Sequence, residues 1–437
     1  MNHSRYQSIA QYVIPAVLGQ VCMFLFSIID GVFVGQGVGE NALGAMGIVS
    51  TFTLVVLALF MLTAVGGATV TAIRMGRKDA NGANDSFMHS FVSVLGIAVL
   101  LTVVGTVFTR PVGYLLGANE TYIEYVMDYL FWYSVFIIPS AFSTLFQFFV
   151  RNDGSPMLVM AAAIISTATN IFLDWFFIFP FEMGLQGAAV ATGIAQTLSF
   201  LILLSHFLFK KGELKIRKFQ PSSILFKKVF MRGIPETVGQ FVVPMQLICM
   251  NHMLIRLVGE IGINAYAAIG YIGSFSAGVS QGVSQGLQPL FGNSYGEKNT
   301  ENLRFYYRAG MTISFTCSIV LFALFMGISG FVCRMYGLSG ETLTFAVHVF
   351  PEFASHFIFM SLNIVISTYL YTTKRTGAAV VFNVFRSFSF SSIAIIAFPL
   401  IFGVKVIWYT VAIYEVFSLI LALIIKRITE KNGIQYV

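Results

Sequence analysis

Charge is what this chain has least of. Only 10% of its 437 residues are Asp, Glu, Lys or Arg, whereas 57% are hydrophobic. A water-soluble domain carries roughly 25% charged residues, so a solvated surface of ordinary polarity is excluded. Cysteine is scarce as well. Cys22, Cys249, Cys317 and Cys333 form no C-x-x-C pair and no metal-ligand spacing, and they read as packing residues. No H-E-x-x-H and no G-x-x-x-x-G-K-[ST] occurs, which removes support for a zinc protease and for an ATP-driven pump. No A-x-A-like cleavage site follows the first apolar run, which begins near Ile9 and is too long for a signal-peptide core. It reads as a retained signal-anchor helix.

What is abundant is apolar length. Mean hydropathy is +0.81, and Phe alone accounts for 45 residues. A membrane-crossing helix needs about 20 apolar residues. Twelve runs qualify: 9–34, 46–73, 88–109, 122–149, 156–179, 184–209, 233–255, 264–294, 306–330, 343–371, 377–400 and 403–425. Sorting the 26 Lys and Arg by side leaves Arg110, Arg256, Arg334 and Lys405 on one face and Arg386 inside a span; the other 21 fall on the opposite face. This bias predicts a multi-pass inner-membrane protein with both termini in the cytoplasm. It also accounts for the net charge of +7 without nucleic acid as a partner. The basic segment 210–232 reads as a cytoplasmic linker along the anionic inner leaflet, between an N-terminal lobe (1–209) and a C-terminal lobe (233–437).

The two halves repeat at an offset near 220. Pro15, Gly19 and Gln20 match Pro235, Gly239 and Gln240. Val38-Gly39-Glu40 matches Val258-Gly259-Glu260. Gly76 and Lys78 match Gly296 and Lys298, and Phe179-Pro180 matches Phe398-Pro399. Six spans per repeat is an even number, so both repeats share one orientation. The predicted fold is an all-α membrane protein of twelve helices. Its two six-helix lobes would be related by a pseudo-twofold axis along the membrane normal and would rock about a central cleft.

Several segments carry a family resemblance: IPAVLGQ…SIIDGVFVGQ (Ile14 to Gln36), RNDGSP (Arg151 to Pro156), NIFLD (Asn170 to Asp174) with GLQGAAVAT (Gly184 to Thr192), and GLQPLFGNSYG (Gly286 to Gly296). In order and spacing the chain resembles the MATE (multidrug and toxic compound extrusion) transporters over nearly its whole length. It looks closest to the bacterial branch whose acidic ion site lies in the N-terminal lobe. The resemblance implies export of small lipophilic cations by antiport with H⁺ or Na⁺, no other cofactor, no enzymatic activity and function as a monomer among membrane lipids. It also implies a first helix that flexes, with Pro15 as the hinge. A lipid-linked oligosaccharide or peptidoglycan-precursor flippase of the same superfamily is the alternative. Phosphates favour an Arg-lined cleft, however, and Arg386 is the only Arg clearly inside a span.

The residues speak for themselves beside this. Asp30 is the one carboxylate of the first span, where an ionised group is costly; it is either an interfacial helix-end residue or an ion site. Asn170 and Asp174 lie four apart, hence on one helix face. They are either a pair that glues helices or oxygen ligands for a hard cation. Thr192 on the sixth span is a weak candidate alone, which the resemblance raises, and Tyr129 on the fourth span is either a further candidate or a packing residue. If sodium is the coupling ion, its ligands would be Asp30, Asn170, Asp174 and Thr192. The repeat lacks this chemistry, since Met250 stands opposite Asp30 and Val411 opposite Thr192. Glu352 and His356, spaced as a charged pair or drug contact, are secondary candidates with Arg386 and Gln288. Glu236, next to Pro235, reads as a first-turn carboxylate favoured by the helix dipole.

Overall fold

The computed structural model describes residues 2–118, 120, 122–336 and 338–430, so Lys431 of the charge pattern lies outside the described residues. The side chains of residues 2–3, 26–28, 40–41, 43–44, 243–244 and 260 lie outside them too. No strand occurs among the described residues. The helices of the first half are α1 (Asn2–Gly37), α2 (Glu40–Gly76), α3 (Ala80–Val107), α4 (Thr109–Leu115), α5 (Ile123–Val135), α6 (Ile137–Asn152), α7 (Pro156–Ile178) and α8 (Gly184–Leu208). Those of the second half are α9 (Ser223–Gly239), α10 (Val242–Leu257), α11 (Glu260–Gly296), α12 (Thr300–Met335), α13 (Gly340–Ala354), α14 (His356–Thr372), α15 (Thr376–Val384), α16 (Phe390–Phe402) and α17 (Thr410–Glu430).

Eight described segments are long and apolar enough to cross a membrane, and α5 with α6, bent by 57°, makes a ninth. The three remaining spans of the sequence reading fall on α9–α10, α11 and α17, which are shorter or more polar. The result is a twelve-span, all-helical membrane fold.

Two compact units result. One comprises Ala10–Ile234; the other comprises Pro235–Val437 with Met1–Ile9. The repeat seen in the sequence is written into the backbone of both. Positive φ angles recur at matched positions: Gly39 and Gly259 (113° and 84°), Lys78 and Lys298 (59° and 58°), and Gly154 and Lys374 (84° and 62°). A lysine in this left-handed region costs about 1–2 kcal/mol, so its recurrence marks a turn fixed by the fold. The helix starts that follow are capped alike. Asp79 accepts from the Gly82 N–H at 2.9 Å, and Asn299 from the Asn302 N–H at 3.0 Å. Each such cap contributes about 1 kcal/mol.

Segment 210–232 is stitched to the first unit by buried polar groups. Asp153 accepts from the N–H groups of Glu213 (2.9 Å) and Leu214 (3.2 Å) and from His206 Nε2 (2.8 Å). Asn84 accepts from the Lys215 N–H at 2.7 Å and donates to the Glu213 carbonyl at 3.3 Å. His89 Nε2 accepts from the Ser222 N–H at 2.9 Å. These bonds satisfy a backbone that would otherwise sit beside apolar helices with its polar groups unmet.

Beyond the last span, at the end of α17, Glu430 accepts from Tyr369 (2.6 Å), Arg375 (2.9 Å) and Lys426 (2.7 Å). Burial pushes its carboxyl up, but the donors Lys426, Tyr369 and Arg375 outweigh burial and hold it below the ordinary glutamate value. A depressed folded-state pKa stabilises above the unfolded value and fades as pH falls through the folded one. Glu430→Gln is therefore expected to cost at most about 1 kcal/mol at pH 7. Thermal melts of wild type and variant should converge as pH drops below about 4; a gap that persists in acid would contradict this.

Candidate ion site in the first unit

The site is built from four helices, α1, α5, α7 and α8. Asp30 lies seven residues before the end of α1, well inside the helix, and is 6% exposed. Pro15 sits inside the same helix, which runs unbroken through it although its missing N–H removes one helical hydrogen bond. On α7, Asn170 and Asp174 share one face and are 2% and 0% exposed. Thr192 on α8 receives the Asn170 Nδ2 donor at 3.4 Å. Tyr129 on α5 is buried, lies within electrostatic reach of both Asp30 and Asp174, and hydrogen-bonds to Thr192. All five sequence candidates for the ion site thus converge in one unit.

What distinguishes the place is a surplus of acceptors. Asp30 Oδ1, Asn170 Oδ1 and both carboxylate oxygens of Asp174 are buried without a hydrogen-bond partner. No ion pair among the described residues involves either aspartate. A buried polar atom left unmet costs about 1–3 kcal/mol, and more when charged. Such oxygens are acceptors that a proton, or a cation that takes oxygen ligands, could satisfy. Among the described residues no cluster of three or more His, Cys, Asp or Glu exists, so the donor set suits a monovalent ion better than a transition metal.

Directly beside it is a cavity of about 30 Å³, lined by Asn170 and Thr192, farther along the same helices by Ser166, Gln196 and Ser199, and by Gln147 of α6. That volume holds a water or two. The polar lining was not singled out from sequence, because isolated Ser and Gln in apolar helices carry no pattern. Ser166 and Asn170 do share the i, i+4 spacing that flagged Asp174. Next along α6 and α8, Ser143 bonds Ser199 at 2.9 Å, and Phe142, Phe146 and Phe200 stack about them.

The second unit shows how the same scaffold is filled without ion chemistry. Met250 and Val411, the counterparts of Asp30 and Thr192, are fully buried in its apolar core. Arg386 does not stand open. It lies in a π-helical turn, Phe385–Ser389, and grips Glu415 through Nε and Nη2 at 2.7–3.0 Å. Asn363 donates to the same carboxylate at 2.6 Å. Glu352 and His356 form no pair. The chain stays right-handed helical through Ser355, so the two remain one turn apart on a single span, yet each side chain finds another partner. His356 turns to the Phe353 carbonyl, and Glu352 lies against Tyr409. His356 instead lines a cavity of about 340 Å³ with Tyr266, Phe353 and Met360. Gln288 is buried on α11.

With this geometry in place, comparison with known proteins is decisive about kinship. The MatE family model matches residues 15–176 and again 235–396, one match per repeat. The chain belongs to the MatE family. As a MatE member it is similar to Multidrug export protein MepA of Staphylococcus haemolyticus (strain JCSC1435), at 23% identity over 302 residues, 68% of this chain and 66% of that protein. It is 24% identical to MepA of Staphylococcus saprophyticus subsp. saprophyticus, over 67% of this chain and 65% of that one. The match thus spans just under two thirds of the length of these curated relatives. Among solved structures, an outward-facing conformation of a multidrug resistance MATE family transporter of the MOP superfamily aligns with a TM-score of 0.92. Its identity is 21%, over 98% of this chain and 96% of that one. A crystal structure of MATE in complex with MaL6 also gives 0.92, at 20% identity, over 98% and 97%. These likenesses establish the fold.

The MatE chain thus holds two kinds of buried acid, and they should respond to neutralisation in opposite ways. Asp174→Asn removes a charge that has no partner and is expected to leave the melting temperature unchanged or raised. Glu415→Gln strands Arg386 and is expected to cost roughly 3–5 kcal/mol. Melting curves in detergent measure both; equal losses would show that the Asp174 carboxylate is a structural pair after all.

Proposed function

We propose that this MatE protein is a secondary exporter of small lipophilic cations, with H⁺ or Na⁺ as the coupling ion and with Asp30, Asn170, Asp174 and Thr192 as the ion site. The observation that carries the reading is the set of four unpartnered buried oxygens on Asp30, Asn170 and Asp174. The family relationship and the multidrug-export names of the relatives support the substrate class. The protein would sit in the bacterial inner membrane as a monomer with both termini in the cytoplasm, as the Lys and Arg bias indicates. In the cycle, an ion arriving from outside occupies the Asp30–Asp174 pocket and α1 bends at Pro15. The substrate then leaves outward. Loss of the ion to the cytoplasm resets the site. Tyr129 and Thr192 hold the acceptor cluster in place.

Purified protein in liposomes tests this with ethidium as the probe. Efflux should follow an imposed pH gradient or an imposed sodium gradient, and whichever succeeds names the ion. Asp30→Asn and Asp174→Asn should each cut gradient-driven efflux at least tenfold, and Asn170→Ala and Thr192→Ala should reduce it severalfold. Glu352→Gln should do less than any of these. Wild-type liposomes that respond to neither gradient, or a larger loss in Glu352→Gln than in Asp30→Asn, would sink the reading.

A further inference from the structure

The second unit holds a chamber that the ion site does not use. It is the cavity of about 340 Å³ walled by α10, α11, α13 and α14, a size that suits a small organic molecule. Its lining is aromatic and apolar: Tyr266, Tyr271, Phe353 and Met360, with Leu247 on its exposed side. No Asp, Glu, Lys or Arg lines it. The charged groups within electrostatic reach of His356, which are Arg386 and Glu415, are paired with each other. A glycine makes part of the room. A Cβ at Gly270 would meet nothing within 4 Å, so a larger side chain there would enter the cavity.

One polar group of the lining is left to serve a ligand. His356 is 3% exposed, and its Nδ1–H donates to the Phe353 carbonyl at 2.5 Å. In the neutral ring this makes Nε2 a bare acceptor. His356 has no further hydrogen bond among the described residues. Packing fixes its orientation, since the ring stands edge-on to Phe353 and Phe357 with centroids 4.7 and 4.9 Å away. Gln246, by contrast, is spent: it donates to the Tyr266 hydroxyl at 3.4 Å and accepts from Tyr414 at 3.1 Å. Tyr271 is half-exposed and also lines a neighbouring cavity of about 490 Å³, where its ring stacks on Tyr336 at 4.4 Å. The Tyr271 ring is thus a wall common to both spaces.

We propose that this chamber is a second binding site, for an uncharged planar aromatic molecule whose O–H or N–H donates to His356 Nε2. Aromatic walls favour a flat ring. An aromatic cage alone would also suit a quaternary ammonium. Such a cation, however, brings no donor to Nε2 and finds no carboxylate in the lining. The site goes beyond the cation-export reading and stands without it, because its ligand is neutral and its residues belong to the second unit alone.

The test is equilibrium dialysis against the purified full-length protein in detergent at pH 7, corrected for uptake by protein-free micelles. 2-Naphthol supplies the ring and the donor; 2-methoxynaphthalene supplies the ring alone. Wild type is expected to bind 2-naphthol about tenfold more tightly than the methoxy compound. His356→Phe keeps a ring and removes the acceptor. It should bring 2-naphthol down to the level of 2-methoxynaphthalene and move the latter less than twofold. Gly270→Leu, which fills the chamber, should abolish binding of both. Wild-type protein that binds the two probes equally, or binds neither, would overturn the assignment without recourse to a variant. So would a preference for 2-naphthol that survives in His356→Phe, or undiminished binding in Gly270→Leu. No gradient is involved, so a protein that fails to export ethidium decides the matter equally well.

Discussion

A carboxylate inside a membrane span must find a positive charge. Water is absent there, and the energy of an unbalanced ion exceeds anything packing returns. Each buried acid of this protein meets that constraint in its own way. Glu415 keeps a permanent partner, Arg386, in the core of the second unit. Asp30 and Asp174 have none, and their oxygens stay unmet. The first arrangement is static. The second leaves acceptors that only a charge from outside the protein can meet, which is why this copy of the duplicated scaffold is the one proposed as the ion site.

The duplication makes the contrast readable. Matched turns at Gly39 and Gly259, and at Lys78 and Lys298, show that both halves fold by the same local rules. Where α1 carries Asp30, the counterpart helix α10 carries Met250. Where α8 offers the Thr192 hydroxyl, α17 offers Val411. One repeat can then specialise in the ion while the other holds its acids in fixed networks.

Much of this was legible in the sequence, because helix periodicity is a strong signal over twenty apolar residues. The spans, the repeat offset and the shared face of Asn170 and Asp174 all follow from counting along helices, whereas Thr192, on another helix, stood out through the family resemblance. Errors arose where a helix boundary decided the chemistry. The basic segment reads as linker over 210–232, yet α9 starts within it at Ser223, which reverses the sign of the dipole at Glu236. Glu352 and His356 are four apart on one span, but His356 turns to the Phe353 carbonyl and Glu352 to Tyr409. Hydrogen bonds from Asn84, His89 and Asp153 to the segment 213–222 were invisible, since they join residues more than 50 positions apart. No spacing rule reaches that far.

If the pocket of Asp30 and Asp174 requires a positive charge, ion and substrate must each lower the other's affinity by the same factor. The most direct test is the dissociation constant of a permanently charged substrate, measured in detergent over a grid of pH and sodium concentration, for wild type and Asp30→Asn. The account predicts weaker binding to wild type as the coupling ion rises, by at least fivefold across its titration (about 1 kcal/mol of coupling). It predicts a flat response in Asp30→Asn. A wild-type affinity that neither pH nor sodium moves would contradict it.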